Sequence, residues 1–164
     1  MKQILLSFGF LFTILFTTPI HAQTFTNYTA TDGLLDNNVL CLDIDTADNI
    51  WFGTQNGIAK FDGSVWTSFT QSSYPGLVDN NINAIMVASD DRVWVGTDFG
   101  ISVYNGISFT SYTTTDGLGN NRVNHIAEDI NGVLWFGEFS GATKYEGITF
   151  TAYGSSDGLP FGGV

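Results

Sequence analysis

Hydrophobic and polar residues alternate in short runs along this chain, and most runs are rich in aromatic and β-branched side chains. Gly, Asn or Asp bounds each run. Runs of this length and composition are typical of β-strands, whereas an amphipathic helix would show a period of about 3.6 residues. No convincing helical period occurs after the first residues. The pattern therefore predicts an all-β chain.

The predicted strands fall into three sets of four. The first strands are Val39–Ile44, Ile82–Val87 and Val123–Glu128, and the second strands begin at Trp51, Trp94 and Trp135. The third strands are Ile58–Phe61, Ile101–Tyr104 and Ala142–Tyr145, and the fourth are Trp66–Phe69, Phe109–Tyr112 and Phe150–Tyr153. Between the third and fourth strands lie Asp62-Gly63, Asn105-Gly106 and Glu146-Gly147, where a two-residue hairpin turn needs positive φ.

Three anchors recur in step and show that the sets are a true repeat. The tryptophans are 43 and 41 residues apart, and each is followed two positions later by a glycine: Gly53, Gly96 and Gly137. Gly-Leu pairs begin at Gly33, Gly76, Gly117 and Gly158 with spacings of 43, 41 and 41. An aromatic-Thr-x-aromatic motif starts at Phe25, Trp66, Phe109 and Phe150. All three anchors place a two-residue insertion in the same repeat.

Four antiparallel strands in about 40–45 residues, repeated along a chain, are typical of β-propeller blades. A β-sandwich also has short strands and turns, but it does not require matched repeats. The sequence therefore predicts three four-stranded blades, with the tryptophans packed between neighbouring blades. The motif at Phe25–Tyr28 predicts one extra N-terminal outer strand. Because closed propellers have about four to eight blades, we expect an incomplete propeller.

The repeat boundaries predict the organisation of the chain. A positive charge at Lys2, an apolar run and a small residue at Ala22 predict a cleaved export signal over residues 1–23, with a membrane anchor as the alternative. The predicted parts that follow are the outer strand and loop at 24–38, blade 1 at 39–81, blade 2 at 82–122, blade 3 at 123–158 and the start of a truncated fourth repeat at 159–164. We expect an N-terminal fragment of a longer protein. Ring closure by self-association is the alternative.

Charge and cysteine content narrow the function. The net charge of −11 makes nucleic-acid binding very unfavourable, because no basic cluster offsets the repulsion of phosphates. Cys41 is the single cysteine, so no intramolecular disulfide forms, and its expected role is that of a small buried residue. We expect no membrane insertion after signal cleavage.

Few residues suggest site chemistry. Asp43, Asp45 and Asp48 loosely resemble a calcium loop, but their positions do not repeat, so polar hairpin chemistry is the better interpretation and we predict no metal or cofactor. Catalysis by His125 would need an oriented partner, and its position matches Cys41 and Ala84, which favours packing or a channel-lining role.

The paired asparagines precede each first strand, where they would ring one mouth of the channel. Amide side chains form turns, and they also bind sugar hydroxyls. The weak candidates for ligand contact are Asn38, Asn81, Asn121 and His125.

The strings Asp32-Gly33-Leu34, Asn37-Asn38-Val39 and Asn49-Ile50-Trp51-Phe52-Gly53-Thr54 resemble the two-component regulator propeller repeat. The copies beginning at Val93 and Leu134 match it nearly as well. The resemblance implies a periplasmic sensor propeller of a bacterial hybrid histidine kinase that responds to polysaccharide fragments. It implies an oligosaccharide or other small ligand and a periplasmic or secreted location. The chain departs from the family architecture because it has no kinase or receiver segment and no catalytic motif, so we expect no kinase or other enzyme activity in it. A propeller lyase and a cell-surface interaction scaffold are the alternative functions.

Overall fold

The computed structural model describes residues 25–159. The predicted export signal at 1–23 and nearly all of the predicted truncated repeat at 159–164 lie outside these residues. The described part contains twelve β-strands in three antiparallel sheets of four strands. Each sheet uses four consecutive strands in sequence order, so each is one blade. The predicted all-β architecture of three four-stranded blades is confirmed.

The strands follow the repeat closely. Blade 1 contains β1 Val39–Ile44, β2 Ile50–Thr54, β3 Gly57–Phe61 and β4 Trp66–Phe69. Blade 2 contains β5 Ile82–Val87, β6 Val93–Thr97, β7 Ile101–Tyr104 and β8 Phe109–Tyr112. Blade 3 contains β9 Val123–Glu128, β10 Leu134–Glu138, β11 Gly141–Tyr145 and β12 Phe150–Tyr153, and a 3₁₀ turn follows at Ser155–Asp157.

The blades agree in register as well as in order. In each blade the first strand pairs with the second through the same β-bulge, one residue after the strand begins. The predicted turn glycines between the third and fourth strands have positive φ, with values of 92°, 92° and 75° at Gly63, Gly106 and Gly147. This conformation is easily adopted by glycine. The predicted positive φ of these glycines is therefore confirmed, but the predicted two-residue turn is wrong, because Phe61 pairs with Trp66 and four residues connect the third and fourth strands.

The extra outer strand predicted at Phe25–Tyr28 is not formed, because these residues have no strand pairing. A fourth strand needs the free edge of a third strand, and each third strand in the described residues already pairs with its own fourth strand. Tyr28 nevertheless packs on blade 1, with ring centroids 5.1 Å from Phe61 and 5.6 Å from Trp66. The Tyr28 ring therefore attaches this segment to blade 1.

The blades stack side by side, with their first strands in contact: β1 with β5, and β5 with β9. We call the face of a blade that points toward the next blade its trailing face, and the opposite face its leading face. Trp51 lies on the trailing face of blade 1 in a core with Ile85 and Val95 of blade 2. Trp94 occupies the same position between blades 2 and 3, in a core with Phe136. The predicted packing of tryptophans between blades is confirmed at both junctions.

Polar contacts also join neighbouring blades. The Asp43 carboxylate accepts a hydrogen bond from the Val87 backbone N–H at 2.8 Å. The Ser89 hydroxyl and backbone N–H both donate to the Glu128 carboxylate at 2.7 Å. Both carboxylates therefore act across a blade junction.

Candidate ligand-binding sites

The two edges of each blade carry different loops. Val39 pairs with Thr54, so the start of the first strand lies beside the loop between the second and third strands. We call this the upper edge. The opposite edge, which carries the β1–β2 hairpin and the β3–β4 turn, is the lower edge. Candidate binding residues occur at both edges.

One asparagine of each upper-edge pair holds the linker that enters the blade. Its side-chain oxygen accepts a hydrogen bond from a backbone N–H at the start of that linker. The pairs are Asn37 with Ala30 at 2.7 Å, Asn80 with Gln71 at 2.7 Å, and Asn121 with Thr114 at 2.8 Å. Asn121 is therefore equivalent to Asn37 and Asn80. The residue equivalent to Asn38 and Asn81 in the third repeat is Arg122.

Asp98, in the β6–β7 loop, gathers polar groups from blades 2 and 3 at the upper edge. Its carboxylate accepts hydrogen bonds from the amide nitrogens of Asn81 and Asn83, both at 2.9 Å. Arg122 of blade 3 lies with its Nε 3.4 Å from the same carboxylate. The Arg122 guanidinium also lies 5.5 Å from the ring centroid of Phe139. These five residues form the Asp98 cluster.

The Asp98 cluster has unused binding capacity. Within residues 25–159, the buried side-chain oxygen of Asn81 has no hydrogen-bond partner. Buried polar groups are usually satisfied, and each exception needs an explanation. Arg122 and the Phe139 ring are exposed beside it. The cluster therefore combines an amide acceptor, a guanidinium donor and an aromatic surface in one place.

The four predicted contact residues have different surroundings, and only Asn81 belongs to the Asp98 cluster. Asn38 is exposed on blade 1, and its backbone N–H donates to Asp36 at 2.8 Å. His125 pairs in register with Gly137, at the position of Cys41 and Ala84, and its side chain lies exposed on the trailing face of blade 3. Sequence analysis missed Asp98, Asn83 and Arg122. The signal for Arg122 was its alignment with Asn38 and Asn81.

A cleft of about 290 Å³ opens between blades 1 and 2 at the lower edge. Its walls include Trp51, Tyr74 and two carboxylates, those of Asp45 and Asp91. Tyr74 comes from the two-residue insertion of the repeat. The Lys60 ammonium crosses the cleft, 3.9 Å from Asp45 and 5.0 Å from the Trp51 ring centroid. Lys60 thus fills part of this space.

Hydrogen bonds explain the acidic residues that loosely resemble a calcium loop. Asp45 accepts from the backbone N–H groups of Ala47 and Asn49 at 3.0 and 2.9 Å, and from the Trp51 indole N–H at 3.0 Å. Burial raises the pKa of Asp45, but the hydrogen bonds from Trp51 and Asn49 outweigh it, so the pKa lies below its ordinary value. In the part of the chain that the structure describes, no group of three ligand residues could hold a metal ion.

Glu138 is a buried carboxylate that sequence analysis did not single out. It is 1% exposed and accepts a hydrogen bond from the Thr143 hydroxyl at 2.6 Å. Thr54 and Thr97 occupy the same position in the other blades. Burial raises the pKa of Glu138, although the hydrogen bond from Thr143 opposes this. The sequence did contain a signal for this residue, because Glu138 replaces the threonine that the other two repeats have at this position.

Cys41 packs at the junction of blades 1 and 2, with its sulfur 3.9 Å from the Ile82 carbonyl oxygen. Burial raises the pKa of the Cys41 thiol to about 11. Because the thiolate is the reactive form of cysteine, this thiol is unreactive near neutral pH.

Comparison of the sequence with known families gives a specific match. The family model described as two component regulator propeller matches residues 33–56, 76–99 and 117–139. Each match starts at the glycine of a Gly-Leu pair and ends in the loop after the second strand. The chain belongs to the two-component regulator propeller family. Among curated proteins, no relative matches it.

Several solved structures share the fold of this chain. The extracellular domain of a hybrid two-component system from B. thetaiotaomicron matches with a TM-score of 0.76 and 24% identity, covering 85% of this chain and 20% of that one. A catalytically inactive virginiamycin B lyase from Staphylococcus aureus, solved with quinupristin, matches with a TM-score of 0.58 and 18% identity, covering 76% and 42%. PorZ, a surface component of the type-IX secretion system of Porphyromonas gingivalis, matches with a TM-score of 0.54 and 20% identity, covering 81% and 22%.

This regulator propeller chain spans about a fifth of the length of the two-component extracellular domain. At these identities the likeness establishes the fold. The described residues contain no helix with the length and apolar character needed to cross a membrane.

Proposed function

We propose that this regulator propeller chain is a non-catalytic ligand-binding module in the extracytoplasmic sensor of a two-component system. The observation that carries the proposal is the Asp98 cluster, where the buried Asn81 oxygen lacks a partner beside the exposed Arg122 and Phe139. The family match and the extracellular domains of similar structure support the sensor role. The upper edge of blades 2 and 3 is then the binding surface.

The proposed ligand is an oligosaccharide or another small molecule rich in hydroxyl groups. A ligand hydroxyl accepts from the exposed Arg122, and a second hydroxyl donates to the buried Asn81 oxygen once the side chains that cover this oxygen move aside. The Phe139 ring offers a flat apolar surface for the rest of the ligand. Asn38 extends the surface toward blade 1. Asn121 would bind the ligand through its side-chain nitrogen, since its side-chain oxygen accepts a hydrogen bond from the linker. His125 remains a predicted ligand contact.

Several features favour binding over catalysis. His125 lies on the trailing face of blade 3, and the raised pKa of the Cys41 thiol disfavours the nucleophilic thiolate near neutral pH. The sequence has one histidine besides His21, which belongs to the predicted signal. The lyase fold similarity supports the enzyme alternative only at the level of the fold.

The export signal predicted at residues 1–23 supports a periplasmic or secreted location. The coverage of about a fifth of the similar sensor domain supports the interpretation that the chain is the N-terminal arc of a longer sensor. Within this arc, we propose that blades 1, 2 and 3 have the boundaries predicted from the sequence, which are 39–81, 82–122 and 123–158.

Isothermal titration of the exported form, residues 24–164, with a panel of neutral and acidic oligosaccharides tests the proposal. We expect saturable binding by at least one member, and we expect Asn81→Ala and Arg122→Ala to abolish it. Asn131→Ala removes a similar amide from a lower-edge hairpin and is the matched control. Binding that survives both upper-edge substitutions would place the site elsewhere. A panel that shows no saturable binding, or turnover of any member, would contradict the proposed function.

A further inference from the structure

The cleft at the lower edge of blades 1 and 2 is built from residues that depart from the repeat. Lys60 of blade 1 corresponds to Val103 of blade 2, because each pairs with the tryptophan of the second strand. Asp45 corresponds to Ala88, and Tyr74 lies in the two-residue insertion, which the linker between blades 2 and 3 lacks. Insertions in repeat proteins often lie on a binding face. Three departures around one cleft therefore indicate a role besides blade packing.

The two carboxylates of the cleft come from neighbouring hairpins. Asp45 lies in the β1–β2 hairpin and Asp91 in the β5–β6 hairpin, and the Thr46 hydroxyl joins these hairpins by donating to Asp91 at 2.7 Å. Lys60 carries the one ammonium group among the residues that line the cleft. Two carboxylates against one ammonium leave a net negative charge, so electrostatics favour a cationic ligand.

The side chain that now occupies the cleft shows which kind of cation fits. The Lys60 ammonium lies 5.0 Å from the Trp51 ring centroid, within the range of a cation–π contact. The half-buried rings of Tyr74 and Tyr104, with centroids 6.4 Å apart, add aromatic wall. An aliphatic stem against aromatic rings, with an ammonium group beside carboxylates, is therefore chemistry that this cleft already accepts.

Lys60 is held weakly and has another partner nearby. Its ammonium lies 3.9 Å from the Asp45 carboxylate, which is too far for a hydrogen bond, and its side chain is 29% exposed. Hydrogen bonds from the backbone N–H groups of Val65 and Ser64 lower the pKa of Asp62, and the Lys60 charge lowers it further. Asp62 is thus close enough to receive the ammonium when Lys60 leaves the cleft.

We propose that this cleft binds a small aliphatic diamine, and that Lys60 is a tethered competitor which the ligand displaces. The two ammonium groups of the ligand balance the two carboxylates, and its stem lies against the aromatic walls. The cleft volume of about 290 Å³ is close to the lower end of the range of about 300–1,000 Å³ for small-molecule sites. The Asp98 cluster lies at the opposite edge between blades 2 and 3, so binding in the cleft does not depend on it.

Isothermal titration of the exported form, residues 24–164, with 1,5-diaminopentane at low ionic strength tests the proposal. We expect saturable 1:1 binding of the diamine and none of 1,5-pentanediol, a neutral molecule of the same length. Lys60→Ala should bind the diamine at least about fivefold more tightly, because apparent affinity falls with the fraction of molecules whose site is blocked. Lys144→Ala is the matched control, since Lys144 pairs with Trp135 at the equivalent position of blade 3, and it should leave the affinity unchanged.

A second pair of variants separates the cleft from general attraction to a negative surface. In the Lys60→Ala background, Asp91→Asn should weaken binding by about fivefold, as expected for loss of a partly exposed ion pair. Asp90→Asn removes the same charge from a residue that pairs with Arg92 at 2.7 Å, and it should have little effect. Circular dichroism and the melting temperature verify that each variant is folded.

Three outcomes would overturn the proposal. The first is the absence of saturable diamine binding in both wild type and Lys60→Ala. The second is Lys60→Ala binding the diamine no more tightly than Lys144→Ala, which would remove the role of Lys60 as a competitor. The third is an equal loss of affinity in Asp90→Asn and Asp91→Asn, which would leave only general attraction between the diamine and an acidic protein.

Discussion

Replacing Ala88 with aspartate should stabilise the protein, because it provides a partner for an unsatisfied indole. The Trp94 Nε1 is buried and has no hydrogen-bond partner within residues 25–159. In blade 1 the equivalent indole, that of Trp51, donates to Asp45 at 3.0 Å. Ala88 occupies the position of Asp45, and the two hairpins share the same backbone hydrogen bonds, Ala88 with Arg92 and Asp45 with Asn49.

The magnitude follows from the contacts that the new carboxylate would gain. A hydrogen bond to a charged group contributes about 1.5–3 kcal/mol. The Arg92 backbone N–H, which is equivalent to that of Asn49, already donates to Asp90 at 3.1 Å, so the indole is the main new donor. Desolvation of the carboxylate opposes this gain, and the Arg92 guanidinium offsets it only in part because it already pairs with Asp90 at 2.7 Å. We expect Ala88→Asp to raise the free energy of unfolding by about 1–2 kcal/mol, which corresponds to a melting temperature higher by about 3–8 °C.

Urea unfolding followed by tryptophan fluorescence measures the change, with Asp45→Ala as the reverse substitution. Asp45→Ala should lower the free energy of unfolding by about 2 kcal/mol, because it leaves the Trp51 indole unpaired as well. The gain of Ala88→Asp should shrink in a Trp94→Phe background, which has no indole N–H. An Ala88→Asp protein that is less stable than wild type, or a gain that is unchanged in that background, would refute the reasoning.

Three further predictions concern Glu138, Gly76 and Cys41. Glu138→Thr should raise the free energy of unfolding at pH 7 by about 1 kcal/mol, since a buried carboxylate carries a desolvation cost. Burial raises the pKa of Glu138 in the folded protein, so its favourable contribution to stability is present below the ordinary pKa and is lost as pH rises through the raised pKa. The gain in stability, measured by urea unfolding, should therefore be absent at pH 4. Gly76→Ala should lower the free energy of unfolding by more than about 2 kcal/mol, because the new Cβ would lie 2.1 Å from the Phe109 carbonyl oxygen. The control Gly63→Ala has open space around its Cβ, so melting curves should show only the cost of about 1 kcal/mol for a positive φ. Maleimide labelling of Cys41 at pH 7 should be slow in native protein and fast in urea, given a thiol pKa of about 11; fast native labelling would contradict the packing.

The repeat made most of the fold predictable from the sequence. Three sets of anchors located all twelve strands, because each blade pairs only consecutive strands and its turns carry local signals. The extra strand at Phe25–Tyr28 was wrong, since a strand motif cannot supply the neighbouring edge that pairing requires. The exposure of Trp135 depends likewise on a neighbour, although its sequence context matches that of Trp94.

The candidate site was less accessible to sequence reasoning. The paired asparagines were evident, but their sequence does not show that the oxygen of Asn121 holds the linker, or that Arg122 shares the Asp98 carboxylate with Asn81. Asp98 joins its cluster through contacts 15 to 24 residues apart across two blades. Glu138 is buried by the linker ahead of its own blade. Such contacts follow from three-dimensional packing and leave no local pattern.

The sequential pairing of strands within each blade has a consequence for synthesis in the cell. At about 5–20 residues per second, a ribosome needs about 2–9 s to make one repeat of 41 to 43 residues. A β-hairpin forms in about 1–10 μs, so a blade has ample time to fold before the next one emerges. Each newly made blade then finds the tryptophan face of the preceding blade already in place. Folding from the N-terminus to the C-terminus therefore leaves the trailing faces of blades 1 and 2 uncovered for only the few seconds that one repeat requires.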